Sequence, residues 1–239
     1  MSRHSHIYVF STFLCLLLGL GVVCARAELD EDGFMPLTNG PVPPFQGMVL
    51  KSEARNYTVY YPAVGVKEVD RIIADWVAGL VADAPAEALV AGQDGNRFAL
   101  YEMQARYSLS AAQPRYFSVV FFTTQAVMDR RENIIYTLNF DLAGRERVEL
   151  KDIFSDLDKS LPQLPALIIQ AAAASPRADG SPMTLPYYVE NYSDYKDEFA
   201  RFLTVAFCPE GLNVYLSPTD VILLRKEDIR AAGARGGIW

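Results

Sequence analysis

The residues best suited to chemistry lie late in the chain. Tyr188, Tyr192 and Tyr195 fall at i, i+4 and i+7, which is one face of a helix, with Tyr187 adjacent and Phe199 a turn further on. A tyrosine is a flat ring with a hydroxyl, so this stripe suits stacking on a sugar or a hot spot for a protein partner. Turned toward a sheet, the same stripe is ordinary core. A second set is acidic. Glu102, Asp129, Glu132 and Asp141 could supply the paired carboxylates that hydrolyse glycans, one acid and one base or nucleophile. Asp141 is equally explained by the turn it occupies, and the other three by solvated strand or loop positions.

Ser193-x-x-Lys196 has the form of a serine nucleophile with its lysine, yet the Ser-x-Asn and Lys-Thr-Gly segments that accompany that motif are missing. Other chemistry is excluded by composition. Both histidines, His4 and His6, sit in residues 1–27, which read as a secretory signal: Arg3 at the start, an apolar run over 8–23, then Ala25-Arg26-Ala27 before Glu28. Cleavage after Ala27 leaves no histidine, so a Ser-His-Asp or Cys-His arrangement and a histidine-held zinc are all ruled out. It leaves Cys208 as the one cysteine, hence no internal disulfide. No catalytic residue, metal site or cofactor is expected. A rival reading keeps Cys24 as a lipid-anchor site after Leu20-Gly21-Val22-Val23, making the chain a lipoprotein scaffold. The apolar run is short of the roughly 20 residues of a comfortable membrane span.

Two of the 22 basic residues and none of the 29 acidic ones lie in this leader, so the remainder carries 20 against 29, a formal charge of −9. Such a surface is a poor match for nucleic acid or anionic headgroups. Membrane contact is expected only through the N-terminal segment, should it be retained or lipidated. The location expected is periplasmic or secreted.

The elements that must position these residues begin after a tether over 28–47, acidic at first and then rich in proline and glycine. One α+β domain is expected over 48–239, with a smaller leading part over 48–110 and a main part over 111–232. Residues 48–61 read as a strand. Val69, Ile72, Ile73, Trp76, Val77 and Leu80 then recur at three and four, which predicts a helix over 66–80 that frays toward Pro85. After a turn at 92–96, strands are expected over 97–109 and 116–124, followed by a hairpin over 134–150. In that hairpin Gly144 takes the positive φ and Asp152 opens a helix. A helix over 161–174, a proline-rich loop over 175–186, an aromatic helix or turn over 187–195, a hairpin around Cys208-Pro209-Glu210-Gly211, a short strand over 221–224 and a terminal helical turn complete the order. Short links make neighbouring strands antiparallel. The class predicted is α+β, an antiparallel sheet with helices packed mainly on one face.

Phe140-Asp141-Leu142-x-Gly144 followed by Val148-x-Leu150-x-Asp152-Ile153-Phe154, together with Phe207-x3-Gly211-Leu212-x-Val214-Tyr215-Leu216-x-Pro218, resembles a bacterial envelope family of unknown function. That family is found in the ectodomain of a lysozyme-sensing anti-sigma factor and as an accessory domain of a peptidoglycan deacetylase. The likeness spans roughly 48–232, and its motifs are structural punctuation. Thr123-Thr124-Gln125-Ala126-Val127-Met128 stands where relatives carry a Gly-Gly-Ala-His-Gly-like segment, and the stretch over 219–224 is shortened. With only a handful of residues before Tyr8, the chain is not expected to be a sensor of the anti-sigma kind. What the resemblance implies is an exported, non-catalytic domain that binds an envelope protein or a peptidoglycan fragment. A glycan hydrolase using acidic residues is the alternative.

Overall fold

A computed structural model of the chain describes residues 45–51, 55–82, 101–127 and 130–239. The expected leader, the tether as far as residue 44, the fraying stretch around Pro85, the turn at 92–96 and Asp129 lie outside them. Where one strand was expected over 48–61 there are two, β1 (Phe45–Lys51) and β2 (Arg55–Pro62), paired as an antiparallel hairpin. Helix α1 (Lys67–Ala82) follows, and its apolar spacing puts Val69, Ile73, Val77 and Val81 in a single buried row. Its entry is fixed by the Asp70 carboxylate, which accepts from the N–H of Val64 at 2.6 Å and of Gly65 at 3.2 Å.

A chain that returns through a helix can pair in parallel, and β3 (Tyr101–Gln113) does so with β2. Thereafter β4 (Tyr116–Val127), β5 (Arg130–Asp141) and β6 (Glu146–Val148) form an antiparallel meander. The result is a six-stranded sheet ordered as in the sequence. In the β5–β6 turn the left-handed residue is Arg145, at φ 57°, and not Gly144. The link is longer than a two-residue hairpin: the Asp141 carboxylate accepts from the N–H of Ala143 and Gly144, which moves the positive φ one residue on. Arg145 then reaches Glu68 on α1 at 3.1 Å. Asp152 does not open the next helix. Glu149 is the N-cap of α2 (Leu150–Ile153), and Asp152 sits three residues in, accepting from the Glu149 N–H at 2.9 Å.

The remaining strands, β7 (Thr204–Cys208), β8 (Gly211–Tyr215) and β9 (Val221–Arg225), form a separate three-stranded sheet. Around it lie α3 (Leu157–Ser160), a 3-10 turn (Leu161–Gln163), α4 (Leu164–Ala174), α5 (Tyr187–Glu190), α6 (Lys196–Phe202) and α7 (Lys226–Ala231). Gly211 closes the β7–β8 turn at φ 153°, where a Cβ would meet the Leu224 carbonyl oxygen at 2.0 Å, so only glycine fits. The class is α+β, with two mostly antiparallel sheets.

Strand β4 explains how the sheets stack. Phe117, Val119 and Phe121 face the core under α1, whereas Val120 and Phe122 face a second cluster with Ala206 and Tyr215 of the small sheet. A third core, with Ile168, Phe199, Phe207, Val214 and Ile222, fills the space between the small sheet and its helices. Between the sheets Ser118 and Asn139 are buried. The Ser118 hydroxyl donates to Asn139 Oδ1 at 2.6 Å and accepts from the Phe207 N–H at 2.7 Å, while Asn139 Nδ2 donates to the Val205 carbonyl at 3.1 Å. Two side chains of one sheet thereby stand in for a missing neighbour strand at the edge of the other.

Candidate functional site

The tyrosines expected on one helical face are divided between two short helices. Helix α5 ends at Glu190, residues 191–194 form a turn, and Tyr195 is the N-cap of α6. Asn191 helps end the first helix, its side-chain amide donating to the Tyr187 carbonyl at 3.0 Å. The break rotates the rings apart. Tyr188 and Tyr192 turn toward the buried Phe199, with centroid distances of 6.3 and 5.2 Å. Burial pushes both of their hydroxyls above the usual tyrosine range.

Tyr187 and Tyr195 turn the other way. They meet edge to face at 5.0 Å and keep 53% and 37% of their surface exposed. Phe202, 46% exposed, continues the patch through Tyr188, whose ring lies 6.1 Å from it and 5.6 Å from Tyr187. Arg201 stacks its guanidinium 5.3 Å above the Phe202 ring. Four connected aromatic rings and one cation thus form a partly wet surface held by two helices. Phe202 and Arg201 were absent from the sequence expectation, because Phe202 reads as the first residue of a strand. Its spacing of seven from Tyr195 is the signal that places it here.

The acidic residues do not converge. Glu132 and Asp141 lie near opposite ends of β5, nine residues and so about 30 Å apart along the strand. Carboxylates that cleave a glycosidic bond stand roughly 5–10 Å apart. Glu102 flanks Met103, which enters the core under α1, so it points to the other face of the sheet. Glu132, two residues before Ile134 and four before Tyr136, points to the same face as Tyr136 and α1. Asp141 is committed elsewhere: Arg115 grips it with two bonds of 2.7 and 2.5 Å, and that pairing first, with the turn amides, holds its carboxyl below the usual range. Ser193 lies in the turn before α6 and shares its hydroxyl with Asp194, while Lys196 begins the helix, both exposed. Cys208 is fully buried at the end of β7. Among the described residues no group of acidic, histidine or cysteine side chains is placed to hold a metal ion, and no helix is long and apolar enough to cross a membrane.

A second tight acid–base pair lies at the small sheet. Arg177 donates to both oxygens of Asp220, at 2.8 and 2.5 Å, and to the Thr184 hydroxyl at 3.2 Å. This ties the loop after α4 to the start of β9, and Arg177 holds the Asp220 carboxyl below its usual range. At the other end of the small sheet, Trp239 Nε1 donates to the carbonyls of Cys208 and Gly211, and Gln113 donates to the carbonyls of Gly237 and Ile238. These contacts brace the two sheets and leave the aromatic surface uncovered by described residues.

No family model and no curated protein matches the chain. The fold is similar to that of a DUF3298 family protein from Pseudomonas aeruginosa PAO1, with a TM-score of 0.50 at 9% identity, over 84% of this chain and 97% of that one. A member of the same family from Bacteroides fragilis NCTC 9343 matches with a TM-score of 0.47 at 12% identity, over 80% and 93%. At such identities the likeness to the first is one of fold.

Proposed function

We propose that this chain is an exported, non-catalytic domain of the cell envelope that binds a protein or a cell-wall glycan through the face made by Tyr187, Tyr195, Phe202 and Arg201. The observation that carries the reading is the exposure of three large aromatic rings on one continuous surface, beside two further rings, Tyr188 and Tyr192, that are partly buried against the core. Exposed rings backed by buried ones are stiff, so they lose little freedom when a ligand covers them. The leader expected over 1–27, and motifs that resemble those of a family found in an anti-sigma ectodomain and a deacetylase accessory domain, support the envelope setting. The separation of Glu132 from Asp141, and the opposed faces of Glu102 and Glu132, weigh against the acidic-hydrolase alternative.

The test is calorimetric titration of the purified protein with muropeptides and, separately, with lysozyme-type proteins. Saturable binding is expected to one of them, weakened about tenfold or more by Tyr187→Ala combined with Tyr195→Ala. Release of cleaved glycan, abolished by Glu132→Gln, would instead establish the hydrolase.

A further inference from the structure

The two edges of the small sheet are treated differently. At β7 the outward Val205 carbonyl and Phe207 N–H are taken up by Asn139 and Ser118. At β9 no further strand follows among the described residues. The pairing of Leu212 with Leu224 and Val214 with Ile222 continues to Lys226, whose N–H donates to the Glu210 carbonyl at 2.8 Å. Ile222, Leu224 and Lys226 therefore aim their backbone groups at β8, and Leu223 and Arg225 aim theirs outward. Among the described residues nothing bonds to the outward N–H or carbonyl of Leu223.

That outward side is not open surface but a groove of about 350 Å³ between β9 and the flank of α4. Leu167, Gln170, Ala171 and Ala174 of α4 line one side, Leu223 and Arg225 the other, and Asp228 also lines the groove. Neither Arg225 nor Asp228 makes an ion pair with a described residue, and both are exposed. An unused ladder edge, the apolar side chains of Leu167 and Ala171, and a guanidinium without an ion pair define a complementary ligand: backbone amides in register, an apolar side chain, and a carboxylate.

We propose that this groove takes an extended polypeptide segment of a partner protein as a fourth strand beside β9, with an apolar side chain against Leu167 and Ala171 and an acidic side chain opposite Arg225. The ladder bonds to Leu223 supply affinity without regard to sequence, while the α4 wall and Arg225 select the side chains. The site is separate from the aromatic face and does not rest on it.

The experiment adds Thr-Val-Glu-Val-Thr-Val-amide, carrying fluorescein on its N-terminal amine, to the full chain and follows anisotropy and amide hydrogen exchange. Saturable binding is expected, with the Leu223 amide exchanging quickly in the absence of the probe and slowing at least tenfold when it is bound. Leu223→Pro removes the outward N–H while sparing the bonds to β8, and should weaken binding about tenfold. Arg225→Glu should weaken it too, and a probe with lysine in place of glutamate should then bind better than the original. Ala174→Trp, at an exposed position, should block the groove even if the proline variant fails to fold. Tyr187→Ala with Tyr195→Ala should leave probe binding unchanged. No binding at millimolar probe, equal binding by the Ala174→Trp variant, or a Leu223 amide already as protected as that of Leu224 in the free chain would each overturn the proposal.

Discussion

Two aromatic clusters in this molecule bring their rings to similar distances for different ends. Under α1, Trp76 stacks on Phe121 at 4.8 Å and meets Tyr136 edge-on at 5.4 Å. On α5 and α6, Tyr187 meets Tyr195 at 5.0 Å with the rings nearly perpendicular. The inner set is closed by a helix on one side and a sheet on the other, and Phe121 has no exposed surface. The outer set has protein on one side only. Ring pairing alone therefore says nothing about role. What separates core from contact surface is whether a second layer arrives, and for Tyr187, Tyr195 and Phe202 none does among the described residues.

The contrast can be broken or sharpened by substitution. Phe121→Ala should cost about 3–5 kcal/mol of unfolding free energy, read from the urea midpoint, because it opens a cavity between α1 and β4. A smaller loss, about 1–3 kcal/mol, is expected for Asn139→Ala, which leaves the Val205 carbonyl buried without its donor. Its mark should be earlier exchange of β7 amides. The acid limb gives a third measure. Asp220 and Asp141 have carboxyls held low by Arg177 and Arg115, so each contributes stability that is present above its unfolded pKa of about 4 and lost as pH falls through the folded value. Asp220→Asn should thus destabilise at neutral pH and flatten the acid-side fall of the melting temperature. Smallest of all, Tyr187→Ala with Tyr195→Ala should change stability by only about 0.5 kcal/mol, as exposed positions do. If that pair cost as much as Phe121→Ala, the outer cluster would be core after all.

How much of this was legible depends on which forces set each element. Helix α1 was readable because Val69, Ile73 and Val77 are enforced by a single buried face, and that spacing survives any tertiary arrangement. The strands of the central meander were readable for the same reason. The α+β class followed from their order. The split of the small sheet from the large one was not readable. Ser118 and Asn139 are polar and look solvent-facing in a strand, yet they serve a backbone edge 89 and 66 residues away in sequence. The tyrosine stripe misled because helical spacing was assumed to run through residues 191–194, where the Asn191 side chain and the following turn end it. Gly144 misled in a similar way: glycine permits a positive φ, but the hydrogen bonds of Asp141 decide where it falls. The groove at β9 had no sequence signature, since its wall and its edge meet only in three dimensions.

The most direct measurement is a magnetic resonance titration of ring-labelled tyrosines with muropeptides and with lysozyme-type proteins in turn. Tyr187 and Tyr195 should shift together and saturate with one of these ligands, while Tyr136 beneath α1 stays still. Shifts at Tyr136 with none at Tyr187, or no response to either ligand, would contradict a binding role for the outer aromatic face.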